Sequence, residues 1–153
     1  MKVVSVRVRL SPPNLLSIMN SQIFDALFAV AKNTDRVANA KMAAAVVRRN
    51  KIVSIGINSR KSNPFTTDFQ KHPEAIFPHC EVDAIRIALR NISEEDISKC
   101  DLYISRAKLN KRGGEYVTGL AKPCEGCMKA IMKYRPRNVF YTTETDEIKS
   151  LDY

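Results

Sequence analysis

The first strong pattern of apolar and polar positions lies between Ser21 and about Lys32, where apolar residues recur at helical spacing. This pattern predicts a helix with one face in the core. The apolar positions are Ile23, Phe24, Leu27, Phe28, Val30 and Ala31. Ser21 or Asn20 is the predicted N-cap, because a short polar side chain there accepts a hydrogen bond from the first turn.

Two segments rich in β-branched residues follow, Met42 to Val47 and Ile52 to Ile57, with a short turn at Asn50-Lys51 between them. This arrangement predicts a β-hairpin. Both segments are predominantly apolar, so we expect the hairpin to be largely buried and to lie near the middle of a sheet.

Helical and strand patterns alternate in the rest of the chain. The predicted elements are a helix from His79 to about Arg90, a strand from Leu102 to Ser105, a helix from Cys124 to about Arg135 and a strand from Asn138 to Thr142. The segment Arg106 to Lys122, with Gly113-Gly114 at its centre, predicts a flexible excursion or a small hairpin. Together these patterns predict a three-layer α/β/α domain around a sheet of mixed direction.

Residues 1–18 fit this pattern poorly, because Pro12-Pro13 interrupts them and they contain basic but no acidic side chains. We interpret them as a basic N-terminal extension, with Met19 as a candidate natural start. The alternative is an edge strand from Val3 to Arg9. Residues 19–153 are predicted to form a single domain.

The composition limits the class of protein. A chain of 153 residues that is 44% hydrophobic and 27% charged has the makeup of one globular domain, which excludes a disordered or fibrous protein. The net charge of +9 attracts phosphates, and it leaves open whether they belong to a nucleotide or to a nucleic acid. The four cysteines stand in a chain without a secretory signal or an apolar run of ~20 residues, so we expect reduced thiols and a cytoplasmic protein.

The strongest chemical signal is the pair of motifs His79-Cys80-Glu81 and Pro123-Cys124-Glu125-Gly126-Cys127. Two cysteines three positions apart on the first turn of a helix can offer both sulfurs to one ion, and a histidine can join them from another helix start. Three protein ligands leave the fourth position of zinc open, as in catalytic zinc sites. Glu81 would then be free to move protons.

Two other interpretations of the cysteines remain. Cys80, Cys100 or His72 could supply a fourth ligand and close a structural zinc site. A redox C-x-x-C pair is also conceivable, but it would leave the histidine and glutamate upstream without a role.

At these motifs the sequence resembles the cytidine and deoxycytidylate deaminase family, from about Asn20 to Thr142. The resemblance implies the cytidine-deaminase-like α/β/α fold with a mixed five-stranded sheet and identifies residues 19–153 as a deaminase domain. It implies that His79, Cys124 and Cys127 bind zinc. Glu81 would carry protons between water, ring N3 of the base and the departing ammonia.

The resemblance also assigns substrate contacts. Asn58 stands where the family has a substrate-binding asparagine, although a turn residue that ends a strand would look the same. The backbone N–H of Cys80 would face the base carbonyl, and Cys80 stands where relatives more often have a small residue. The long segment from Asn58 to Pro78 is a candidate substrate loop, and its Arg60, Lys61, Lys71 and His72 could bind a 5′-phosphate.

These observations favour zinc-dependent deamination of a free pyrimidine nucleotide, most simply dCMP to dUMP with release of ammonia. One alternative is a deaminase of cytosine or adenine in single-stranded nucleic acid or tRNA, for which Phe65, Phe69 and Phe77 are the candidate stacking residues. A non-catalytic zinc-stabilised module is the other alternative. The family resemblance further implies a homo-oligomer, and nothing in the sequence indicates a membrane partner or an organic cofactor.

Overall fold

The computed structural model describes residues 15–34, 41–74 and 77–153, with side chains from residue 18 onward. The alternative edge strand from Val3 to Arg9 lies outside the described residues. No helix in the described ranges is long and apolar enough to cross a bilayer.

Five helices and six strands make up the described chain. In order they are α1 (Leu15–Asn33), β1 (Lys41–Arg48), β2 (Lys51–Ile57), α2 (Pro64–Thr67), α3 (Cys80–Ala88), α4 (Glu94–Ile97), β3 (Asp101–Leu109), β4 (Tyr116–Gly119), α5 (Glu125–Tyr134), β5 (Asn138–Thr142) and β6 (Ile148–Ser150).

The strands form one mixed sheet in the order β2-β1-β3-β5-β6, and β4 pairs with β3 beside this path. The pair β3–β5 is parallel, whereas the other pairs are antiparallel. The sheet therefore has five strands in its main order, as expected, and a sixth in the hairpin β3–β4. That hairpin confirms one of the two predictions for the segment 106–122.

Helices cover both faces of the sheet, which confirms the three-layer architecture. On one face, α1 buries Phe24 and Leu27 against small residues of β1 and against Tyr103 of β3. On the other face, α3 and α5 pack against β1, β3 and β5 around Ile85 and Ile131. The residues Ala43 to Val47 of β1 face the two layers of helices alternately, which explains why this strand is a nearly continuous apolar run.

Two predicted features are wrong. Helix α1 begins at Leu15, so neither Ser21 nor Asn20 is its N-cap. The Asn20 side chain instead accepts a hydrogen bond of 2.6 Å from the Tyr103 hydroxyl, a tertiary contact that the local sequence does not reveal. The hairpin β1–β2 also lies at one end of the sheet, because among the described strands β2 pairs only with β1, and its Ile52 is 43% exposed.

Close packing between β2 and α3 positions the motif helix. A Cβ atom on Gly56 would lie 2.2 Å from the backbone nitrogen of Ala84, so only glycine allows this approach. The Ser54 hydroxyl donates to the carbonyl of Ala84 at 2.7 Å, and the backbone N–H of Ile57 donates to Asp83 at 3.1 Å. These contacts hold the start of α3 against the end of β2.

Candidate metal centre and active site

Three side chains from the two motifs converge at the N-terminal ends of α3 and α5. His79 Nδ1 lies 3.3 Å from Cys124 Sγ and 3.4 Å from Cys127 Sγ, and the two sulfurs are 3.5 Å apart. Within the described ranges, these three residues are the one group of at least three His, Cys, Asp or Glu side chains whose donor atoms cluster closely enough for a metal ion.

Local helix geometry produces this convergence. His79 is the N-cap of α3 and Cys124 is the N-cap of α5, so both side chains project beyond the end of a helix. The predicted helix starts thus lie one residue early. Cys127, on the first turn of α5, donates its backbone N–H to Cys124 Sγ at 3.5 Å. Both helix N-termini therefore direct their positive ends toward the same small region.

The donor set fits zinc. Zinc–sulfur distances of about 2.3 Å and a zinc–nitrogen distance of about 2.0 Å put tetrahedral ligands about 3.5–3.8 Å apart. The three observed separations of 3.3, 3.4 and 3.5 Å are close to those edges. One imidazole nitrogen and two sulfurs are also the ligand types that zinc prefers.

The electrostatics favour an anionic sulfur. Side-chain hydrogen bonding with Cys127 is the largest cause that lowers the pKa of Cys124 to about 3, and hydrogen bonding with His79 adds to it. The same pairing with Cys124, together with burial, raises the pKa of Cys127. The hydrogen bond with Cys124 also raises the pKa of His79. A thiolate is the form in which cysteine binds a metal.

Glu81 lies directly against the cluster. Its side chain is 2% exposed, and its Oε2 accepts hydrogen bonds of 3.3 Å from the thiols of both Cys127 and Cys80. Burial raises the pKa of Glu81, as expected for a carboxyl group removed from water. The carboxyl group of Glu81 thus lies beside the three donor atoms, where it can exchange protons with a reacting molecule.

Asn58 and Cys80 are in contact behind this cluster. Asn58 is 7% exposed and its Oδ1 accepts the backbone N–H of Cys80 at 2.8 Å. The Cys80 thiol is fully buried, and burial raises its pKa well above the usual range. The next residue, Ser59, donates its N–H to the carbonyl of Pro78 at 3.3 Å, which closes the base of the long loop.

The alternative fourth ligands do not join the cluster. Cys100 donates its thiol to the carbonyl of Asp96 at 3.2 Å and takes no part in the metal-ligand group. Cys80 points at Glu81, and His72 is exposed on the long loop, outside the group. Among the described residues the donor set thus has three members.

The long loop contributes residues that the sequence motifs do not reveal. Thr66 of α2 lines a cavity of about 20 Å³ together with the three metal-binding candidates, and the Thr66 Oγ1 is buried without a partner in the described structure. Gly126 lets the loop approach α5, since a Cβ there would lie 2.5 Å from the carbonyl of Phe69. The length of the loop was the one available signal for this role.

The three loop phenylalanines have different environments. The rings of Phe65 and Phe69 pack against each other with centroids 5.3 Å apart. Their centroids lie 6.1 and 6.0 Å from that of Tyr134, so both residues belong to the core. Phe77 is 43% exposed and lines the small cavity beside the metal centre. Phe77 is therefore the remaining stacking candidate among the three.

The family follows from comparison with known proteins. Residues 19–143 match the cytidine and deoxycytidylate deaminase zinc-binding region. The chain belongs to this family of zinc-binding deaminases. No protein of curated function matches the chain in sequence.

Solved structures agree on the fold. Guanine deaminase from Bacillus subtilis is 25% identical, with a TM-score of 0.54 over 82% of this chain and 66% of that one. This chain therefore spans slightly less than two thirds of the Bacillus protein. The dCMP deaminase from cyanophage S-TIM5 is 19% identical, with a TM-score of 0.54 over 84% and 86% of the two chains. RibD from Acinetobacter baumannii is 17% identical, with a TM-score of 0.51 over 82% of this chain and 28% of that one.

Proposed function

We propose that the protein is a zinc-dependent hydrolase that deaminates a free pyrimidine nucleotide, with dCMP as substrate and dUMP and ammonia as products. The observation that carries this proposal is the position of Glu81, whose buried carboxyl group lies 3.3 Å from Cys127 Sγ and thus beside the three-donor cluster. A closed structural zinc site has no need of a buried carboxyl group at this place.

His79, Cys124 and Cys127 are the proposed zinc ligands. Zinc held by three protein ligands supplies a Lewis acid that lowers the pKa of water toward neutrality. The N-termini of α3 and α5 favour negative charge at the same place. The chain thereby prepares a site in which hydrolysis proceeds near neutral pH.

Glu81 is the proposed proton carrier. Its Oε2 takes a proton from the attacking water, delivers it to ring N3 of the pyrimidine, and then moves a proton to the amino group at C4, which leaves as ammonia. The Cys80 thiol donates a hydrogen bond of 3.3 Å to Oε2, and this bond remains when Cys127 binds zinc as a thiolate, so the carboxyl group keeps a defined orientation.

Asn58 is the proposed substrate-orienting residue. Its Oδ1 accepts the N–H of Cys80, so the donor Nδ2 is what remains for the substrate. Asn58 therefore presents N–H donors to an acceptor such as an oxygen of the base or of the sugar. A base carbonyl that approached the Cys80 N–H would share that donor with Asn58.

Basic side chains of the long loop support a nucleotide over a nucleoside. Lys71 lines the small cavity that His79 and Cys124 also line, and its side chain is exposed. Lys61 and His72 are exposed on the same loop. A cation at this position is well placed to neutralise a 5′-phosphate.

The test is ammonia release by the zinc-loaded protein from dCMP, CMP, deoxycytidine, cytidine, guanine and a cytosine-containing oligonucleotide. We expect turnover to be fastest with dCMP and to fall by about 10²–10⁴-fold in Glu81→Gln, while the exposed-site control Glu94→Gln behaves as wild type. Faster turnover of the oligonucleotide would reassign the protein to nucleic-acid deamination. Faster turnover of guanine would reassign it to purine bases. No turnover of any substrate by zinc-loaded protein would contradict the proposal.

A further inference from the structure

A second cavity, of about 670 Å³, lies on the face of the sheet opposite the metal centre. Phe24 and Phe28 of α1 form one wall, and Ser105 of β3 and Thr142 of β5 belong to the sheet that forms another. Its volume is within the usual range for small-molecule sites, about 300–1,000 Å³. The cavity also lies at the carboxyl ends of the parallel pair β3–β5, where open α/β sheets commonly bind ligands.

Ser105 gives this cavity an unsatisfied polar group. The residue is 1% exposed, and its Oγ has no hydrogen-bond partner in the described structure. Its neighbours on the same face of β3, Tyr103 and Ala107, belong to the hydrophobic cluster that also contains the buried residues of α1. A buried hydroxyl group without a partner is costly, so a ligand atom that bonds to Ser105 Oγ recovers free energy.

The charge of the lining is opposite to that of the whole protein. Asp25 of α1 and Asp146 of the turn between β5 and β6 both line the cavity, and neither carboxylate forms an ion pair within the described residues. The described lining contains no Lys, Arg or His side chain, although the chain carries a net charge of +9. This arrangement disfavours phosphates and carboxylates and favours cations.

The aromatic wall adds a second preference for cations. Phe24 and Phe28 are one helical turn apart on α1, so their rings lie on the same face. An ammonium group within about 6 Å of a phenyl ring is attracted to the ring face. The lining is part aromatic and part acidic. A diamine matches it, because its alkyl chain can pack against the phenyl rings while an ammonium group pairs with a carboxylate.

We propose that this cavity binds a small organic cation, an alkyl amine or diamine. One ammonium group pairs with Asp25 or Asp146, the alkyl chain packs against Phe24 and Phe28, and Ser105 Oγ accepts an N–H at the base of the cavity. This site is separate from the deaminase centre and goes beyond the proposed reaction.

The test compares three molecules of similar length and different charge on the zinc-loaded full chain: putrescine, 1,4-butanediol and succinate. Calorimetry measures affinity, and amide NMR shifts at Ser105 and Thr142 locate the binding site. We expect putrescine to bind with one-to-one stoichiometry and the other two at least about tenfold more weakly, because charge-assisted hydrogen bonds are lost. Equal binding of butanediol, binding of succinate in preference, or no binding of putrescine would overturn the proposal.

Matched variants separate this site from general attraction to the protein. The double change Asp25→Asn, Asp146→Asn should weaken putrescine binding about tenfold, because both carboxylates that can pair with the ammonium group are then neutral. The exposed carboxylate control Glu95→Gln should leave it unchanged. Asp146 has a φ of 59°, a conformation that asparagine also tolerates, so Asp146→Asn keeps the turn. Putrescine binding that survives the double Asp25→Asn, Asp146→Asn change at full strength would also overturn the proposal.

Discussion

Asn58 Oδ1 accepts the backbone N–H of Cys80 across 2.8 Å, and this bond joins the residue that follows β2 to the first residue of α3. Both partners are buried, so the bond forms away from bulk water. It is one of the contacts that hold the H-x-E motif in place relative to the sheet. The same bond fixes which end of the Asn58 amide is available to a ligand.

The first prediction concerns this bond. Asn58→Ala leaves the buried N–H of Cys80 without its acceptor, which should lower the free energy of unfolding by about 1–3 kcal/mol. Deaminase kcat/KM should fall by more than the loss of folded protein explains, since a substrate-orienting donor is lost too. Denaturant unfolding and steady-state kinetics measure the two effects. The exposed control Asn91→Ala should change neither, and wild-type values for Asn58→Ala would contradict the assignment.

The second prediction concerns the proton carrier. Glu81→Gln keeps the shape of the side chain and an oxygen that the Cys80 thiol can bond, so the fold and the zinc content should be retained. Turnover should fall by about 10²–10⁴-fold, the usual contribution of a positioned acid–base group. Activity assays measure the loss of turnover, and elemental analysis measures whether the variant retains its zinc. A Glu81→Gln protein that has lost its zinc would indicate a structural role instead.

The third prediction concerns the metal. Cys124→Ser should lower zinc content well below one ion per chain, whereas Cys100→Ser should leave it unchanged because Cys100 lies outside the donor cluster. Removing zinc with a chelator should also lower the melting temperature, because a ligand at 100 times its Kd stabilises the folded state by about 2.7 kcal/mol. Zinc retention in Cys124→Ser equal to that in Cys100→Ser would exclude Cys124 as a ligand.

The fourth prediction concerns the contact of the long loop with α5. A Cβ on Gly126 would lie 2.5 Å from the carbonyl of Phe69 and 2.8 Å from the backbone nitrogen of Lys71, both backbone atoms. Gly126→Ala should therefore displace the loop and cost about 1–3 kcal/mol of stability. Gly113→Ala is the matched control, since nothing lies within 4 Å of its added Cβ. Equal melting temperatures for the two variants would show that the loop moves freely.

The fifth prediction concerns the 5′-phosphate. Lys71→Gln should raise KM for dCMP about tenfold and leave KM for deoxycytidine unchanged, because only the nucleotide presents a phosphate to the ammonium group. The exposed strand residue Lys149 provides the control Lys149→Gln. An equal change in KM for both substrates would remove Lys71 from phosphate recognition.

Long periodic segments of this chain could be predicted, but short elements could not. The hairpin β1–β2 and the strand β5 occupy the segments of the chain that the apolar pattern indicated, because apolar side chains of each strand pack on the core. Helices α2 and α4 have four residues each and β6 has three, too few for any periodicity. The predicted start of α1 is wrong. Asn20, interpreted as an N-cap, lies inside the helix, and its side chain accepts a hydrogen bond from Tyr103 across the fold.

By itself, the sequence determined the chemical types at the metal centre. One histidine and two cysteines at helix starts are a donor set for zinc wherever the two helices meet, because ligand preference depends on the donor atoms. The three-layer order was also present in the sequence, since apolar residues on both faces of a strand require cover on both sides.

Tertiary structure alone decided the distances and the surroundings. The contact of Glu81 with Cys127, the Asn58–Cys80 bond and the burial of Ser105 in a second cavity each join residues that are far apart in the chain or on different elements. These features depend on how β2, α3 and α5 pack and on where α1 crosses the sheet. The local sequence pattern shows which face of a helix or strand is apolar. The packing of two elements decides which side chains on their facing surfaces come into contact.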